Sequence, residues 1–200
     1  MYSLFYNKNV IGDVLLISFE NETIPNRKEV DNNIVRIYEN DRLIGINIFN
    51  ISSTVKIHAD GLIPLPANQF IDVINSVLIQ NKLEPLAYKE ESGFKIGKII
   101  SCKAHEESDH LHILKVDVGN EVLDIVCGAS NVSLGAVVVV ATVGTVTFDG
   151  TEIKSGKLLG VTSSGMCCSE RELNLTKEQE KRGLLLLDDT YQIGADFFQK

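Results

Sequence analysis

The sequence predicts an α+β first domain, a β meander with one covering helix, followed by an all-β barrel domain. Three observations carry this. Short runs rich in β-branched and aromatic residues recur through both halves of the 200-residue chain. One stretch, 68–83, has helical rather than alternating apolar spacing. Between them, residues 84–95 bring proline, charge and glycine together and mark a domain boundary, giving domains 1–90 and 91–200.

In the first domain, Leu4 to Tyr6, Val14 to Phe19, Ile34 to Tyr38 and Leu43 to Phe49 read as strands. Glu39-Asn40-Asp41 supplies a hairpin turn between the last two, because Asn and Asp tolerate left-handed backbone angles. After Pro64 and Pro66, Phe70, Val73, Ile74, Val77 and Leu78 fall on one helical face, with Asn68 as the expected N-cap. No catalytic constellation is visible here. His58 stands alone beside Asp60.

In the second domain, strands are expected over Phe94 to Lys103, Leu111 to Val118, Val122 to Cys127, Ala136 to Thr142 and Leu184 to Leu187. Gly119-Asn120 is a strong hairpin signal. Five or six short strands with close turns predict a small closed barrel. Ser169 and Glu172 have capping-box spacing, so a short helix is expected to start there and end by Asn174. The run Lys177 to Arg182 alternates in sign and reads as a solvated face.

Composition narrows the function. A hydrophobic fraction of 44% and a charged fraction of 23% describe a globular protein, not a disordered or fibrous one. No secretory signal is evident at the start, and the longest apolar run, 135–146, is too short to span a membrane. Four cysteines without a CxxC fit reduced thiols in a cytoplasm. The formal net charge of -8 argues against a protein that wraps a polyanion. Each half carries an equal share, with 8 basic and 12 acidic residues in 1–92 and 11 and 15 in 93–200.

Six stretches then occur in order: KIGKI (95–99), HEESDHLHILKVDVG (105–119), IVCGASNV (125–132), GAVVVVATVG (135–144), KLLGVTSSGMCCSEREL (157–173) and GLLLLDD (183–189). Together they resemble the tRNA-binding domain of the phenylalanyl-tRNA synthetase beta chain and of free-standing tRNA-binding proteins. With an unrelated first half of about 90 residues, the whole resembles the bacterial YtpR family. That resemblance implies an OB-fold barrel, tRNA as partner, no cofactor, no catalysis, and a homodimer in the cytoplasm.

The resemblance also implies a site. Ser163, Gly165 and Met166 match the SxGM signature associated with RNA contact. A hydroxyl can donate to phosphate, a glycine permits close approach, and a methionine can lie against a ribose. The competing reading is a Ser-Ser-Gly turn with Met166 in the core. Asn131, in the CGAxN-type loop, either donates to a phosphate or caps its turn. Lys115, Lys154 and Lys157 are candidate phosphate partners, as are Lys98 and Lys103.

Histidines 105, 110 and 112 with Asp109 invite a metal reading, but no cysteine lies at ligand-like spacing from them, so no metal is expected. A hydrolase using these histidines or the Cys167-Cys168 pair lacks any nucleophile signature. Four positions depart from the family pattern: Glu106 for proline, His110 for lysine, Leu159 for arginine and Asn174 for glycine. Two lost cations predict modest, salt-sensitive affinity. They also motivate the alternative of a protein-interaction module docking on a synthetase or translation factor.

Overall fold

The computed structural model describes residues 2–20, 23–177 and 183–199. The end of the charged run, 178–182, lies outside the described residues. The chain divides into two compact units, 1–90 and 91–200.

The first unit is a six-stranded antiparallel sheet with one long helix. Its strands are β1 (Ser3–Tyr6), β2 (Val14–Ser18), β3 (Arg27–Asp31), β4 (Ile34–Glu39), β5 (Arg42–Phe49) and β6 (Gly61–Leu62). A short helix α1 (Lys8–Ile11) links β1 to β2, and α2 spans Asn68–Gln80.

The spatial order is β3-β4-β5-β2-β1-β6, which corrects the simple meander. β2 pairs with β5 rather than with its sequence neighbour β3. The reason lies in composition. Val14, Leu15 and Ile17 of β2 are buried and need strands on both sides, whereas Arg27-Lys-Glu-Val-Asp31 is exposed throughout and belongs at an edge. The hairpin at Asn40 forms as expected, with Asn40 at φ 55 and Glu39 opposite Arg42.

Leu4, Leu15, Ile17 and Ile46 share one core with Ile71, Ile74 and Leu78 of α2, so the helical spacing is that of a buried face. The N-cap is Ala67, not Asn68; its carbonyl accepts from Phe70 and Ile71 without a side-chain cap. The helix stops three residues before Leu83. Lys82 turns left-handed at φ 59, and the Leu83 amide bonds back to the Leu78 carbonyl.

The second unit contains β7 (Phe94–Ala104), β8 (His112–Asp117), β9 (Val122–Cys127), β10 (Val137–Ala141), β11 (Gly156–Leu158), β12 (Val161–Ser163), β13 (Met166–Cys167) and β14 (Leu186–Leu187). The main sheet runs β13-β10-β7-β8-β9, with β14 also on β10. β7 is long enough to serve two partners. Phe94 to Lys98 pair with β10 and Lys98 to Ala104 with β8, the β8 ladder carrying a register shift between Ile99 and Ser101.

No strand ladder joins β9 to β13, so the expected closed barrel is not closed by pairing. One backbone bond, Ser164 N to Asp124 O at 2.7 Å, crosses the seam. A longer ladder is blocked by Gly165 at φ 153, which interrupts the run between β12 and β13.

The expected helix at Ser169 is a single hydrogen-bonded turn. Its capping box forms: the Ser169 amide donates to Glu172 Oε2 at 2.6 Å, and the Glu172 amide to Ser169 Oγ at 3.3 Å. Asn174 ends the turn at φ 55, filling a left-handed position where glycine is otherwise favoured.

The last described segment docks on the start of β7. Ile96 donates to Ala195 O, Gly194 to Ile96 O and Phe197 to Phe94 O. Buried Asp196 accepts from the Ser92 hydroxyl at 2.8 Å and the Phe198 amide at 2.9 Å. Phe94, Phe148 and Phe198 pack their rings together here, with Phe94 and Phe198 5.2 Å apart edge to face.

Candidate nucleic-acid interface

The β11–β12 hairpin stands over β9 and carries the first candidate residues. Its turn is Leu159-Gly160, both left-handed at φ 45 and φ 79, the geometry of a two-residue type I′ hairpin. Gly156 to Leu158 are exposed throughout, so the Lys157 side chain is displayed beside the turn. Lys154 is exposed just before the hairpin.

Ser163 ends β12 and is engaged internally. Its hydroxyl accepts from the Val126 amide at 3.1 Å and donates to Gly165 O at 3.3 Å. The side chain therefore spans the β9 seam. Its neighbour Ser164 is the more outward hydroxyl, 3.1 Å from Ser155 Oγ.

Gly165 is required by packing. A Cβ there would lie 3.2 Å from Ala141 O and 3.3 Å from Ile125 Cδ1, in a backbone region that side chains rarely adopt. Met166 is half-buried opposite Ala141 and lines two neighbouring cavities, of about 550 and 160 Å³. It is neither a closed core residue nor a free one.

Asn131 is engaged internally through both ends of its side-chain amide. Its Nδ2 donates to Leu184 O at 3.0 Å and its Oδ1 accepts from Leu184 N at 2.8 Å, and neither bond is a cap of its own turn. Lys115 on β8 is ion-paired with Asp124 on β9 at 2.8 Å. Lys98 lies 3.9 Å from Asp189.

The structure thus brings Met166, Lys115 and Lys157 to the region of β8, β9 and the hairpin, and turns Ser163, Gly165 and Asn131 inward. Sequence reasoning missed Arg171, which lines both cavities beside Met166. The signal available was its place inside the Ser169–Glu172 capping box, on the turn that the box closes.

His105 is buried, and its Nδ1 accepts from the Glu107 amide at 3.1 Å, a loop-forming role. Among the described residues, no group of three or more His, Cys, Asp or Glu could hold a metal ion. Among the same residues, no helix is long and apolar enough to cross a membrane.

The second unit is thus a half-open antiparallel sheet with a cation-bearing hairpin over one edge, and its sequence has a defined class. Residues 94–196 match the family described as "Putative tRNA binding domain", and residues 21–86 match a "Domain of unknown function". The chain belongs to this tRNA-binding-domain family and, along nearly its whole length, to the YtpR family. It is 41% identical over 197 residues to "Putative tRNA-binding protein YtpR" of Bacillus subtilis (strain 168), covering 96% of this chain and 98% of that protein.

The beta subunit of phenylalanine–tRNA ligase from Aliivibrio fischeri (strain ATCC 700601 / ES114) is 48% identical over 108 residues, 54% of this chain and 13% of that protein. Among solved structures, a MetRS related protein from Pyrococcus horikoshii is similar at 24% identity and a TM-score of 0.40, over 51% of this chain and 85% of that one.

Proposed function

We propose that this protein is a non-catalytic, cytoplasmic tRNA-binding protein that recognises the folded tRNA body through its second unit, as an OB-type face. The observation that carries this reading is the match of residues 94–196 to the tRNA-binding domain, within a chain similar from end to end to YtpR. Met166, Lys157, Lys154 and Lys115 supply the contacts. Ser163, Gly165 and Asn131 hold the frame on which those contacts stand.

The physical division follows from RNA chemistry. Folded RNA is recognised largely through phosphates and 2′-hydroxyls, which need displayed cations and hydrogen-bonding groups rather than a deep specificity pocket. Lys157 meets that need, and Met166 offers a polarizable surface beside Arg171. Binding of bulk tRNA at low and moderate salt tests the reading. Saturable binding reduced by Met166→Ala with Lys157→Ala supports it, and its absence at low salt overturns it.

One feature favours a second reading, a protein-docking module. Leu158 and Leu159 are 46% and 48% exposed at the hairpin tip, an apolar pair unsuited to phosphate. Partners retained in a pull-down from nuclease-treated lysate, and lost with Leu158→Ser and Leu159→Ser, would favour it.

A further inference from the structure

Two of the four cysteines face each other across the seam between β9 and β13. Cys127 ends β9 and Cys167 ends β13, and both belong to the interior core with Ile125, Leu114 and Val140. Their thiols share a hydrogen bond. Both also line the open cavity of about 550 Å³ beside Arg171, although they are only 8% and 6% exposed.

Strand alternation separates Cys167 from Cys168. Adjacent residues on a strand point to opposite faces, and Cys168 is fully buried outside the interior cluster. Cys102 packs against that cluster but does not line the cavity.

The two thiols are chemically unequal. The Cys167 hydrogen bond and the Ala129 amide draw Cys127 down to about 7, against the opposing effect of burial. Cys167 moves well up, since its proton is shared with Cys127 and burial disfavours its charge. With one proton shared between the two sulfurs, Cys127 is the one that ionises first.

We propose that Cys127 and Cys167 form a hydroperoxide-reactive dithiol that closes, on oxidation, into an intramolecular disulfide between β9 and β13. The Cys127 sulfur attacks the peroxide, an S–O bond forms, the O–O bond breaks, and the leaving oxygen departs as water (or alcohol) after taking a proton. The Cys167 sulfur then attacks the sulfenic acid; an S–S bond forms, the S–O bond breaks, and a second water leaves with the remaining thiol proton. Two thiols are oxidised by two electrons, and the hydroperoxide is reduced. The disulfide replaces a seam now crossed by one backbone bond.

The test is treatment of the full chain with hydrogen peroxide, followed by thiol titration and peptide mapping. The expected result is a fall from four free thiols to two, a monomeric product about 2 Da lighter, and a peptide linking Cys127 to Cys167. The initial rate of thiol loss rises through pH 7 as Cys127 ionises. Cys167→Ala leaves a trappable sulfenic acid on Cys127, and Cys168→Ala leaves the linkage intact. Linkage of Cys127 to Cys102, linkage between chains, or four thiols surviving a dose that oxidises free glutathione would overturn the proposal. These readouts come from the wild-type chain first, so a variant that fails to fold does not decide the matter.

Discussion

Asn131 holds Leu184 by both backbone groups, donating to its carbonyl at 3.0 Å and accepting from its amide at 2.8 Å. The primary amide imitates a strand neighbour for a residue 53 positions away, where no strand runs. Gly183 packs on it so closely that a Cβ would lie 3.1 Å from Asn131 Nδ2.

Asn131→Ala leaves a buried amide and carbonyl of Leu184 without partners, so it lowers stability by about 2 kcal/mol in urea unfolding. Asn131→Asp keeps the acceptor and loses the donor, and falls between the two. A change under about 0.5 kcal/mol for the alanine variant would refute the clasp.

Leu159 sits at φ 45, which costs a branched L-residue about 1 kcal/mol. Leu159→Asn completes an Asn-Gly type I′ turn and is expected to stabilise the protein by about 0.5–1 kcal/mol, read as a raised unfolding midpoint. Leu159→Arg adds one displayed cation. Affinity for tRNA then rises, and the slope of log K against log salt steepens by about 1.

Lys157→Ala has the opposite signature, a slope shallower by about 1 with a uniform loss across tRNAs. Lys115→Ala is expected to do less, because Lys115 already spends much of its charge on Asp124. If the two variants lose affinity equally, the hairpin is not the principal contact.

Asp13 gives the first unit a pH response. The Ser52 hydroxyl at 2.6 Å, with the Ser52 amide and Tyr6 hydroxyl at 3.1 Å, holds its carboxyl below the usual carboxylate range, against partial desolvation. A depressed pKa adds stability that is present above the unfolded value of about 3.9 and is lost as pH falls through the folded one. Asp13→Asn is therefore expected to flatten the acid limb of the stability profile below about pH 4. An unchanged acid limb would remove Asp13 as its source.

The interior strands and α2 were legible because burial writes a pattern into the chain: a period of two along β8 and β9, an unbroken apolar run in β10, and a spacing near four for Ile71, Ile74 and Leu78. β3 was not legible, since the strand is exposed throughout and its single apolar residue, Val30, cannot make an alternating pattern. β11 and β12 escaped because each is only three residues long, and their turn is Leu-Gly rather than Asn-Gly. The order of the first sheet also lay beyond a local reading, because it reflects competition between β2 and β3 for one central place.

Within the candidate site, the internal hydrogen bonds of two motif residues were not legible in the sequence. Ser163 and Asn131 carry polar groups whose partners, Val126 and Leu184, are 37 and 53 residues distant. Nothing near either residue in the sequence announces those partners.

The docking of Asp196 on Ser92 means that the second unit is entered and left at one spot. A unit with that property behaves as a cassette: it can be spliced into a longer polypeptide at a single surface junction without pulling its own sheet apart. The same sequence pattern occupying 13% of a ligase subunit, and about half of this chain, is what such portability leaves behind.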